Sequence, residues 1–202
     1  TKSISDDLAE DQPIEQLTSS SIESFIREIL VTSPSNFNSY SGDNIFQKIR
    51  RFDHHWSGRW GEEFAYRYFK EYYKKKFSSI NHEEETSGNY VLAGTYENGK
   101  NVTIKVIWCN HSMESGKPMD LQIVIDDYNT YIEVKSTYKS EDMLAKISKN
   151  EWRAMRHYAE QYELFCVYNA GKAERVRVRK IKNPAAKLYN GEFVPSAMYL
   201  KL

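Results

Sequence analysis

The stretch TYIEVKST, residues 130–137, decides the reading of this chain. Side chains of a strand point alternately to opposite faces, so Ile132 and Val134 go to one side while Glu133 and Lys135 stand together on the other. Upstream lies the apolar run LQIVI (121–125), joined to it by the turn composition Asp126-Asp127-Tyr128-Asn129. If the two strands pair through that turn, Asp120, just before the run, lies near Glu133 across the ladder. Two carboxylates so placed form an oxygen site suited to Mg²⁺ (or Mn²⁺), which keeps several waters and completes its octahedron with substrate phosphate oxygens. Lys135 would then stand beside the attacking water, where an ammonium stabilises developing negative charge. An acid–base pair at i and i+2 is, by itself, the ordinary wet face of an antiparallel strand. The conjunction with Asp120 and with a third inward carboxylate gives it weight.

That third carboxylate comes from the helical stretch SGRWGEEFAYRYFKEYYKKKF (57–77). At 100° per residue, Glu62 shares a face with Ala65, Tyr66, Phe69 and Tyr73, each within roughly 60° of it, whereas Glu63 shares its side with Arg67, Lys70 and Lys74. Glu63 is therefore a solvated partner for cations. Glu62 points along the aromatic face, where a carboxylate is costly unless a cation meets it. Beyond this helix, YVLAGTY, an Asn98-Gly99 turn and VTIKVIW predict a hairpin. Ser148 with Glu151 makes a capping box opening the helix SKNEWRAMRHYAEQY, with Trp152, Met155, Ala159 and Tyr162 as its apolar stripe. Strands ELFCVYN and ERVRVRKI follow. Helix, three or four strands, helix, strand, strand implies an α/β fold with a mixed sheet flanked by helices, since the hairpin demands antiparallel pairing.

The rest of the chain sets the frame. Its 202 residues, 28 Lys+Arg against 28 Asp+Glu, and 40% hydrophobic residues describe one or two globular domains of zero formal charge, neither histone-like nor an acidic tail. Residues 1–42 read as a flexible acidic lead-in with a short helix (capping box Ser20 and Glu23) and a turn-rich linker, and 43–202 as the main domain. No apolar run approaches the roughly 18–20 residues of a membrane helix, so no membrane partner is expected and an intracellular location is. Cys109 and Cys166 lie in apolar stretches without a CxxC partner and read as reduced core thiols. A start at Thr1 suggests a piece of a larger multidomain protein.

Asp120 followed by Glu133-Val134-Lys135 resembles the D…ExK core of the PD-(D/E)XK nuclease superfamily, and Glu62 matches the helical glutamate that many of its members carry upstream. More narrowly, GRWGEE (58–63), VIWCN (106–110), ESGKPMD (114–120), YIEVKST (131–137) and ISKNEW (147–152) resemble the C-terminal domain of NO VEIN-like proteins. Five ordered motifs over roughly residues 57–170 are far more specific than a bare ExK. The resemblance implies a restriction-endonuclease-like αβββαβ core, metal-binding roles for Asp120 and Glu133, a catalytic role for Lys135 and a supporting one for Glu62. It also implies a C-terminal module of a large nuclear protein. Many nucleases of this type work as homodimers.

A second feature points to nucleic acid, DNA before RNA. In KAERVRVRKIKNPAAK, Arg175, Arg177 and Arg179 share one strand face, and Lys172, Lys180, Lys182 and Lys187 add to the stripe against Glu174 alone. The lysines 74–76 suit a helix C-terminus, and His54-His55 suit a solvated loop. His111, in the loop before Asp120, is a minor candidate for substrate contact. No GxxxxGK[ST] or GxGxxG occurs, which argues against a nucleotide hydrolase. The competing expectation is a non-catalytic nucleic-acid-binding or protein-docking module that keeps the nuclease fold.

Overall fold

The computed structural model describes residues 54–194 except 114, 142, 173 and 174; the acidic lead-in, its short helix and the linker lie outside the described residues. Helix α1 (His54–Lys74) is followed by strands β1 (Phe77–Thr86), β2 (Asn89–Tyr96), β3 (Asn101–Trp108), β4 (Leu121–Ile125) and β5 (Tyr128–Ser136). Helix α2 (Lys149–Tyr158), a 3₁₀ turn (Ala159–Gln161), β6 (Tyr162–Tyr168), β7 (Arg177–Lys182) and a short α3 (Pro184–Tyr189) complete the order. Among the described residues the seven strands form one open sheet in sequence order. All neighbours are antiparallel except β5 and β6, which run parallel across the α2 crossover.

Helices cover both faces, as the pattern of β6 requires. Tyr162, Leu164 and Cys166 pack with Ala154 and Met155 of α2 and Ala185 of α3, whereas Phe165 and Val167 belong to the opposite cluster with Trp60, Phe64, Tyr68 and Phe69 of α1. A strand buried on both sides reads as a continuous apolar run rather than an alternation, and LFCV is one. The Asn98-Gly99 hairpin forms as expected, Gly99 N–H donating to Tyr96 O at 2.8 Å with Gly99 at φ 80°. The α2 capping box also forms: Ser148 Oγ accepts from Glu151 N–H at 3.2 Å, and Glu151 Oε2 accepts from Ser148 N–H at 3.1 Å.

Three boundaries differ from the sequence reading. Five strands, not three or four, separate α1 from α2, because FSSINHEEET forms the edge strand β1 although all but its first residue are exposed. Such a strand carries no buried-face alternation to read. It pairs with β2, where Gly94 leaves room for Ser79 O, with which a Cβ would collide. Helix α1 starts at His54, so His54 and His55 open a helix rather than lie in a loop, and it ends at Lys74. Helix α2 stops at Tyr158, so Tyr162 of the expected stripe sits instead in β6. Among the described residues no helix is long and apolar enough to cross a membrane.

Candidate active site

The β4–β5 register sets Leu121 opposite Ile132 and slips one residue further on, where Asp120 N–H donates to Ile132 O at 2.9 Å; Asp120 therefore stands just past the last paired position of the ladder, at its Ile132–Glu133 end. Asp120 is anchored by both oxygens: Oδ2 accepts from Val134 N–H at 2.8 Å and Oδ1 from Asn110 Nδ2 at 2.9 Å. The Asn110 amide is itself oriented, since its Oδ1 accepts from Ser115 N–H and Oγ at 3.0 and 2.8 Å, which turns its NH₂ to Asp120. Lys135 Nζ donates to Glu133 Oε1 at 2.7 Å from the same strand face. Glu133 is 6% exposed, so its pairing with Lys135 is shielded from water.

Glu62 reaches this neighbourhood because α1 comes unusually close to β5. A Cβ on Gly61 would lie 2.6 Å from Ser136 Cβ and 2.9 Å from Ser136 Oγ, so only glycine allows the approach. Ser136 Oγ also donates to Ser57 O at 2.7 Å, tying the strand end to the helix start. Glu62 Oε2 accepts from Trp108 Nε1 at 2.9 Å and lies 3.6 Å from Arg59 Nη1. Arg59 stacks 4.0 Å above the Trp108 ring and donates to the carbonyls of Asn110 and His111. The cation that an inward Glu62 demands is therefore its helical neighbour three residues back. Glu63, as expected, pairs with Arg67.

Glu151 belongs to the site, although its sequence context marks it only as a helix cap. Its Oε2 accepts from Lys135 Nζ at 2.9 Å while serving the capping box, so the start of α2 and the β5 lysine are locked together. The available signal is its place in ISKNEW; a capping glutamate alone gives no reason to look further. Asn110 is a second residue that sequence reasoning misses, since an amide carries no charge to flag it. Tyr162 closes the floor, donating its hydroxyl to Pro118 O at 2.6 Å.

Among the described residues, Glu62 pairs with Arg59, Glu133 and Glu151 both pair with Lys135, and Asp120 is held by amides instead. Burial, then the charges of Glu133 and Glu62, push the Asp120 carboxyl up to about 8 despite the Val134 amide and Lys135. Burial pushes Glu133 up to about 7, with Lys135 opposing and Glu151 and Glu62 adding. Burial would depress Lys135, but Glu133 and Glu151 outweigh it and raise its pKa, so it is an ammonium at neutral pH. Among the described residues no three His, Cys, Asp or Glu side chains gather closely enough to enclose a metal unaided. Mg²⁺ does not need such a cage, being held by one or two carboxylates with waters and phosphate. Asp120 and Glu133 are of the donor type that set requires.

The structure splits the basic stripe. Arg177 and Arg179 are exposed on one face of β7, and Arg175 is exposed just before it. Lys180 and Lys182 point to the other face, and Lys180 Nζ lies 5.6, 4.9 and 4.7 Å from the ring centres of Tyr68, Phe69 and Tyr72. Burial there lowers its pKa. Strand alternation separates these lysines from the arginines, so the five do not form a single surface. The tyrosines 66, 68 and 73 are core. His111 packs edge-on to Trp108 at 5.1 Å. Cys166 is buried and Cys109 half-buried; burial raises both thiols, which makes them poor nucleophiles.

With this geometry in place, comparison with known proteins gives one finding. The family model described as "Protein NO VEIN, C-terminal" matches residues 61–181, which spans Glu62, Asp120, Glu133, Lys135 and Glu151. No curated protein and no solved structure matches the chain.

Proposed function

This chain belongs to the NO VEIN C-terminal family, and on that premise we propose that it is a metal-dependent nuclease-type domain of the PD-(D/E)XK kind, hydrolysing phosphodiester bonds of nucleic acid, DNA before RNA. The observation that carries the proposal is the half-buried Asp120 and buried Glu133, close together at the end of the β4–β5 ladder, with the Lys135 ammonium on Glu133 and the Glu62 and Glu151 carboxylates beside them. The helix–strands–helix–strand order around them, with β5 and β6 parallel, supports a restriction-endonuclease-like core.

Asp120 and Glu133 would hold Mg²⁺ or Mn²⁺. Such an ion lowers the pKa of a bound water and polarises a phosphoryl oxygen. Lys135, protonated and pinned between Glu133 and Glu151, is placed to stabilise negative charge developing on the phosphate and to orient the attacking water; its raised pKa makes it a poor base. Asn110 and the Val134 amide fix the Asp120 carboxylate. Glu62, held by Trp108 and Arg59, borders the same site and supplies a further acceptor for water.

The test is cleavage of labelled single- and double-stranded DNA and RNA by purified protein with Mg²⁺ or Mn²⁺, beside Glu133→Ala, Lys135→Ala and chelator controls. Metal-dependent cutting lost in both variants is expected. Absence of cutting under every condition, with nucleic-acid binding unchanged by both substitutions, would overturn the reading and leave a binding module on a nuclease fold.

A further inference from the structure

A cleft lies where the sheet's one parallel pair ends. The loop after β5 and the loop after β6 are laced together: Thr137 N–H donates to Val167 O, Asn169 N–H to Lys139 O and Ala170 N–H to Thr137 O, at 2.8, 3.0 and 2.9 Å. Asn169 turns the second loop back at φ 56°, and its Nδ2 donates to Arg175 O at 2.8 Å. Between them is a cavity of about 580 Å³ lined by Tyr138, Lys139, Glu141, Lys172 and Arg175 among others. That volume is in the range of sites that take a small ligand or one unit of a polymer, roughly 300–1,000 Å³. Ligands of α/β sheets collect at the carboxyl ends of parallel strands, which is where this cleft sits.

Its lining is chemically one-sided. Three cations face Glu141, and none of the three has an ion-pair partner among the described residues, whereas Lys70, Lys74 and Lys76 on α1 and just beyond its end are paired with glutamates. Arg177 adds a fourth at the rim, donating from Nη2 to Ser140 O at 2.6 Å and so bracing the loop. Tyr138 is 54% exposed, a large ring left in water among these cations. An aromatic platform beside a cationic groove is the arrangement that binds single strands, phosphates on the charges and a base on the ring. The cleft also adjoins the candidate site: Lys139 is four residues past Lys135, so their Cα atoms are at most about 14 Å apart.

We propose that this cleft binds a single-stranded segment of nucleic acid flanking the bond to be cut, with Lys139, Lys172 and Arg175 on its phosphates and Tyr138 stacked on a base. The inference rests on the nuclease reading for its purpose, though not for its binding chemistry. It moves the nucleic-acid contact away from Lys180 and Lys182 to the loops at the sheet end, and keeps Arg175 from the basic stripe.

The test is fluorescence anisotropy of a labelled single-stranded oligothymidylate, and of a duplex of equal length, with the full chain in chelator so that nothing is cut. Lys139→Glu/Lys172→Glu/Arg175→Glu and, separately, Tyr138→Ala are compared with the unaltered protein, with circular dichroism to verify folding. The triple variant is expected to bind at least about tenfold more weakly and to flatten the log–log salt dependence by about 2, from roughly 0.7 for each of three phosphates no longer neutralised. Tyr138→Ala is expected to weaken single-strand binding about fivefold or more at unchanged salt dependence. Preference for the duplex, no binding by the unaltered protein, or unchanged binding by both variants would overturn the proposal. Failure of the nuclease reading shows separately, as protein that binds the single strand through these residues yet never cuts it with Mg²⁺ or Mn²⁺.

Discussion

Removing metal should make this protein less stable as pH rises through neutrality, and Asp120→Asn should blunt that loss. Asp120 and Glu133 have carboxyls pushed up to about 8 and about 7 in the fold, against ordinary values of 3.8 and 4.5. A raised carboxyl in the native state means that the folded protein binds protons the unfolded chain has released. Stability is then fully present below the unfolded values and is lost as pH rises through the folded ones. With the native state holding about two extra protons near pH 5.5 and about one near pH 7.5, the slope runs from about −3 to about −1 kcal/mol per pH unit, so roughly 4 kcal/mol disappears across that range. That is a large share of a stability of about 5–15 kcal/mol. Asp120→Asn removes the higher-titrating of the two carboxyls, while Glu133 keeps the shift that burial, Glu151 and Glu62 give it, so the loss with pH is reduced rather than abolished. Because the new amide would turn its NH₂ on either the Val134 N–H or the Asn110 NH₂, the substitution also costs about 1–3 kcal/mol at low pH. The slope is therefore the readout rather than the absolute stability. Urea unfolding across this pH range in chelator supplies it, and added Mg²⁺ should restore the alkaline stability of the unaltered protein alone. A flat pH profile in chelator, or equal slopes for the two proteins, would show that Asp120 holds no extra proton in the fold.

Three other substitutions probe the supports of the site. Gly61→Ala drives a methyl into Ser136 and should cost about 1–3 kcal/mol in chemical unfolding, with cleavage falling further as Glu62 is carried away. Glu151→Gln preserves a capping-box residue, so unfolding should change by less than about 1 kcal/mol, yet Lys135 loses one of its two anchors; kcat should drop about tenfold with KM little changed. Lys180→Met should lower stability by about 1–3 kcal/mol through removal of the ammonium over three rings and beside Glu163, while nucleic-acid affinity measured by anisotropy stays as it was.

How far the sequence could be read depended on whether a residue's role was local. The Asn98-Gly99 hairpin, the Ser148 capping box and the shared face of Glu133 and Lys135 each follow from neighbours a few positions apart, and each is present. Glu62 was legible as inward because its helical face is aromatic. Its partners were less so: Trp108 lies 46 residues away, brought near by the approach that Gly61 permits. Strand β1 escaped because an edge strand exposed on both faces has the composition of a loop. Glu151 escaped because its capping role already explained it. Lys180 was grouped with the arginines by composition, although strand alternation sends it under α1.

If Asp120 and Glu133 are arranged around a divalent cation, the metal-free protein must bind one through them. The decisive measurement titrates Mn²⁺ into the metal-free protein and follows bound ion by electron paramagnetic resonance, beside Glu133→Ala and Asp120→Asn. Stoichiometric Mn²⁺ binding is expected, displaced by Mg²⁺, releasing protons near neutral pH, and abolished by both substitutions. Equal Mn²⁺ binding by all three proteins, or none by the unaltered one, would contradict that arrangement.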